Sequence, residues 1–102
     1  MKKRGRQDRS PDLYRAILTL NTTEEAISFF DDLCTITELQ AMEQRFQVVE
    51  LLDQGLVYND ILERTGASSA TISRVNRCLQ YGEGGYTTAL ARLRQADEDT
   101  SS

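Results

Sequence analysis

The sequence predicts an all-α fold of about six helices, and three observations predict it. Pro11 is the only proline of the 102 residues, while the helix formers Leu, Glu, Gln, Arg and Ala are abundant. Apolar residues recur every three or four positions in successive segments, and no run alternates as a strand would. Two short helical patterns meet at Gly66, and small polar residues follow it.

Residues 1–11 read as a disordered basic arm that carries Lys2, Lys3, Arg4, Arg6 and Arg9 and ends in Ser10-Pro11. Residues 12–96 read as one domain, and 97–102, with Asp97, Glu98 and Asp99, as a disordered acidic tail. Leu13, Ile17 and Leu20 predict a short amphipathic helix over 12–20. Thr22 and Glu25 have capping-box spacing and open a second helix, whose broad apolar face holds Ala26, Ile27, Phe29, Phe30, Leu33 and Cys34. Asp31 and Asp32 point away from it. Thr35 and Glu38 repeat the box and start the longest helix, which runs to about Gln54 and is stopped by Gly55. Its stripe of Leu39, Met42, Phe46, Val49 and Leu52 is widened by Ala41, Arg45, Val48 and Leu51. That is more apolar surface than one small helix covers, which implies a dimer. After the central helix pair, Tyr81-Gly82-Glu83-Gly84-Gly85 breaks the pattern. Tyr86, Ala89, Leu90 and Leu93 then support a last helix to about Gln95.

The bulk composition narrows the function. A net charge of −4 argues against indiscriminate nucleic-acid binding but not against specific binding, because distribution matters more than the sum. Cys34 and Cys78 are the only cysteines and there is no histidine, so a zinc site is not expected, and each thiol reads as a buried free one. No apolar run is long enough to span a membrane, and no apolar segment follows the basic start as in a secretory signal. The expected location is the cytoplasm. No paired carboxylates, phosphate loop or metal cluster suggests an enzyme, and no cofactor is expected.

The site argument rests on Tyr58 to Val75. A glycine at 66 supplies the left-handed turn between two helices. Ile61, Leu62, Ile72 and Val75 then face inward, Leu79 continues the stripe, and Ser68 or Ser69 caps the second helix. Ser69, Ala70, Ser73, Arg74 and Arg77 are left on the outer face. Major-groove reading asks for such a face. Small residues allow close approach, Ala70 and the Thr71 methyl suit a thymine methyl, serine hydroxyls suit either donors or acceptors, and arginine suits guanine or phosphate. Tyr58 and Asn59 are placed to clamp the backbone. The alternative is an ordinary helical hairpin with a merely polar face.

Ala67-Ser68-Ser69-Ala70-Thr71-Ile72-Ser73-Arg74, preceded by a long helix with Arg45 and Val49-Glu50-Leu51-Leu52, resembles the Trp repressor superfamily, and more closely its Trp-repressor-related YerC/YecD group. The resemblance covers roughly residues 12–95. It implies an intertwined homodimer that places two recognition helices in successive major grooves of a double-stranded, pseudo-palindromic operator. It also implies an effector pocket. Thr35 matches the threonine near the ligand's amino group, and Arg45 and Arg74 match the arginines that flank the indole ring. Val75 stands where the repressor has glycine, and Cys78 where it has serine. A valine there fills ring space, so tryptophan is not the favoured corepressor. Three functions follow: a DNA-binding regulator, expected to be a repressor; a dimeric protein-interaction module without DNA reading; and, least, an enzyme.

Overall fold

The computed structural model describes residues 8–101 of the chain. Most of the basic arm, residues 1–7, lies outside the described residues, as does Ser102. Six α-helices follow one another: α1 Pro11–Ile17, α2 Thr23–Leu33, α3 Ile36–Asp53, α4 Tyr58–Thr65, α5 Ser69–Tyr81 and α6 Gly85–Ser101. No strand occurs among the described residues. The described chain divides into two compact units whose boundary falls inside α3, between Leu39 and Gln40.

The first unit contains α1, α2 and the first turn of α3. Pro11, expected in the arm, is the first residue of α1, where its missing N–H costs nothing. α1 stops at Ile17, not Leu20. The hydroxyl of Thr19 donates to the Ala16 carbonyl at 2.6 Å, and the Leu20 N–H turns back to Ile17, which ends the α-helical ladder. At the start of α2, Thr22 Oγ1 accepts from the Glu25 N–H, but Glu25 reaches one residue further back, to the Asn21 N–H at 2.9 Å. The second box is reciprocal: Thr35 Oγ1 accepts from the Glu38 N–H at 3.1 Å, and the Glu38 carboxylate accepts from the Thr35 N–H at 2.8 Å. Phe29 and Phe30 meet edge to face, 5.5 Å between ring centroids. No described residue of this unit is buried. Leu13, Tyr14, Leu18, Ile27, Leu33 and Ile36 stay exposed.

The Thr35 backbone N–H, and then its hydroxyl, hold the Glu38 carboxyl below the usual carboxylate range. A carboxyl depressed in the folded state stabilises the fold above its unfolded pKa, and that contribution disappears as the pH falls through the folded value. Glu38→Gln should therefore lose a modest part of the stability near neutral pH, match the wild type at acid pH, and so flatten the acid limb of the stability curve, measured by urea unfolding across pH. An identical acid limb in the variant would contradict the assignment.

The second unit holds the core: Val48, Val49, Ile61, Ala67, Ile72, Val75 and Leu90 are buried, with Phe46, Leu51, Leu52, Leu56, Leu79 and Tyr86 packed against them. Adjacent residues Val48 and Val49 are both buried, so α3 is covered on more than one side. Asp53 at the end of α3 and Arg94 on α6 form an ion pair at the surface. α6 continues to Ser101, so Asp97 to Thr100, expected in a disordered tail, are helical. No glycine or proline interrupts the helix after Gly85. Gln95 donates to Asp99 at 3.1 Å, and the Thr100 hydroxyl donates to the Ala96 carbonyl at 2.6 Å.

Candidate nucleic-acid interface

α4 and α5 make the helix-turn-helix, and the turn is built from its own residues. The α4 ladder ends at Gly66, whose φ of 71° lies in the left-handed region, and the Gly66 N–H closes on the Leu62 carbonyl. Ala67 follows and is buried, so only a small side chain fits there. Ser68 is the N-cap of α5: its Oγ accepts from the Thr71 N–H at 3.1 Å and donates to Thr71 Oγ1 at 3.0 Å. Ser68 is thus occupied by capping, and Ser69 is the first helical residue.

The two faces of α5 separate cleanly. Ile72 and Val75 are buried, as is Ile61 on α4. Ser69, Ala70, Ser73, Arg74 and Arg77 are exposed together, with Tyr58 and Asn59 exposed at the start of α4. Thr71 is half-buried between the faces. Leu62, expected inside, is 42% exposed, because Ile61 takes the inward position and the next residue is turned about 100° around the helix. The small residue buried at the turn is Ala67. Cys78, expected as a buried thiol, is exposed, and Cys34 is half-buried.

Behind α5 lies an open cleft of about 400 Å³, lined from α3 by Ala41, Gln44 and Arg45, from α5 by Thr71, Arg74, Val75 and Cys78, and from α6 by Tyr86. Four of the expected pocket residues, Arg45, Arg74, Val75 and Cys78, therefore share one cavity. Thr35 belongs to the first unit, where its described role is to cap α3. Neither Arg45 nor Arg74 has an ion-pair partner among the described residues, Asp60 included. Gln44 and Tyr86 were not read as cleft residues. Gln44 carried a signal: it is a polar residue in the 41, 44, 48 row of α3, where Ala41 and Val48 face the interior. Tyr86 could not be placed without knowing how α6 returns after the glycine turn.

A hairpin of two helices with a buried inner side and small residues on its outer face defines a helix-turn-helix protein of the DNA-binding kind. The Trp repressor protein family model matches residues 11–94. The uncharacterized protein YerC of Bacillus subtilis (strain 168) is 49% identical over 90 residues, which cover 88% of this chain and 86% of YerC. A Staphylococcus aureus protein described as a candidate Trp repressor is 50% identical, with a TM-score of 0.79 over 82% of this chain and 84% of its own. A TrpR-like protein from Eubacterium eligens ATCC 27750 is 51% identical, with a TM-score of 0.78 over 81% of this chain and 86% of its own. The chain belongs to the Trp repressor family of helix-turn-helix DNA-binding regulators. No described helix is long and apolar enough to cross a membrane.

Proposed function

We propose that this chain is a sequence-specific transcriptional repressor that binds a double-stranded operator as a homodimer and does not use tryptophan as its corepressor. The observation that carries the reading is the outer face of α5: Ser69, Ala70, Ser73, Arg74 and Arg77 lie exposed while Ile72 and Val75 anchor the opposite side in the core. Side chains this small let a helix seat deeply in a major groove, and the two arginines supply guanine or phosphate contacts. The homodimer is supported by the first unit, which buries nothing in a single chain and leaves six large apolar side chains in water. A second copy would cover them and set two α5 helices about one DNA turn apart. Against tryptophan stands Val75, whose side chain takes up part of the cleft wall where a ring would lie.

Selection of bound duplexes from random DNA, with and without L-tryptophan, tests all three parts. The expected result is a two-fold symmetric site, enriched equally in both arms. The net charge of −4 favours one rival, a helical interaction module that no longer reads DNA. That module would enrich no sequence and would bind a protein partner instead. Once a site is known, Arg74→Ala should weaken binding about tenfold and lower the slope of log affinity against log salt by about one if the side chain meets a phosphate. A guanine contact would instead relax specificity at one base pair. Unchanged affinity, slope and specificity would remove Arg74 from the interface.

A further inference from the structure

We infer that Gln44 on α3 is the positioning residue that sets the stance of the recognition helix, an inference that rests on the DNA-reading role proposed for α5. Its side-chain amide donates to the Thr65 carbonyl at 3.1 Å across 21 residues of sequence, in a partly buried position. Thr65 is the last residue of α4, and its carbonyl is one of those the helix itself leaves unpaired.

From Thr65 the connection continues into the turn. The Thr65 hydroxyl donates to the Ile61 carbonyl at 2.7 Å and accepts from the Ala67 N–H at 3.1 Å. Ala67 is followed directly by Ser68, the cap of α5. Gln44 therefore holds the start of the recognition helix through Thr65 and Ala67. Among the described residues, no other hydrogen bond joins α3 to α4 or α5.

The rest of that junction is apolar: Val48, Val49, Ile61, Ile72 and Val75. Apolar burial is strong but non-directional, so it resists separation more than rotation or sliding. A hydrogen bond near 3 Å has a preferred angle and resists both. Base reading depends on side chains meeting base edges in register, whereas phosphate attraction tolerates small displacements. Loss of the tether should thus reduce discrimination between sequences more than overall affinity for DNA.

Gln44→Met keeps the length of the side chain and removes the donor, while Gln44→Lys keeps a donor. Each variant and the wild type are titrated with the selected operator and with a random duplex, and amide exchange is followed at Ala67. For Gln44→Met the ratio of operator to random affinity should fall about three- to tenfold, and Ala67 should exchange faster. Gln44→Lys should retain the wild-type ratio, because an added charge raises both affinities alike. A Met variant with the wild-type ratio and exchange rate would overturn the inference, as would a Lys variant no better than Met. If the wild type prefers no duplex, the DNA-reading role fails, and exchange at Ala67 alone decides the tether: faster in Gln44→Met supports it, unchanged refutes it. If Gln44→Met does not fold, Gln44→Lys decides, with wild-type exchange in support and loosened exchange against.

Discussion

Ala70→Glu is expected to abolish operator binding and leave the fold as stable as before. Ala70 is exposed and is the second residue of α5, on the side proposed to enter the major groove. A carboxylate there would face base acceptors and phosphates, and like-charge juxtaposition at an interface costs several kcal/mol, so affinity should fall by at least about a hundredfold. The same substitution suits the helix. A negative charge in the first turn complements the positive end of the helix dipole, and glutamate is a good helix former. Stability and binding should therefore part: thermal unfolding within about 1 kcal/mol of wild type, and gel shift or anisotropy titration blank. An Ala70→Glu protein that still binds its operator would show that α5 does not enter the groove with this side.

Ile72→Ala tests the opposite face. Ile72 is fully buried with Ile61 and Val75 in the cluster that joins α4 to α5. Truncation of a buried isoleucine to alanine removes transfer free energy and leaves a cavity, together about 2–5 kcal/mol. For a domain of this size that lowers the melting temperature by roughly 10 °C or more. Leu62→Ala is the control, since Leu62 is 42% exposed and should cost far less. Both should be measured at one protein concentration, because dimerisation would add a concentration-dependent contribution. Equal losses at the two positions would mean that Leu62 is covered in the assembled protein.

Most of the helices were legible because their determinants are local. Thr35 and Glu38 mark a helix start by chemistry that lies within one turn, and Gly55 and Gly66 mark stops by backbone conformation. The end of α6 was less legible. An acidic, polar run resembles a tail, yet it carries no breaker, and Gln95 and Thr100 bond to residues four positions away. The outer face of α5 was legible because Ile72 and Val75 alternate with small polar residues at helical spacing, which orients the helix before any partner is known.

By itself, then, the order of residues determined where six helices start, which side of α5 faces the interior, and the family pattern between Ala67 and Arg74. It did so because capping, turn conformation and helical periodicity act over about four residues. Only the tertiary structure decided that Leu62 stays exposed while Ala67 is buried, that Cys78 opens onto a cleft, and that Gln44 ties α3 to Thr65. Those outcomes depend on groups some twenty or more residues apart meeting at angstrom precision, and no local spacing encodes the angle at which two helices come to rest.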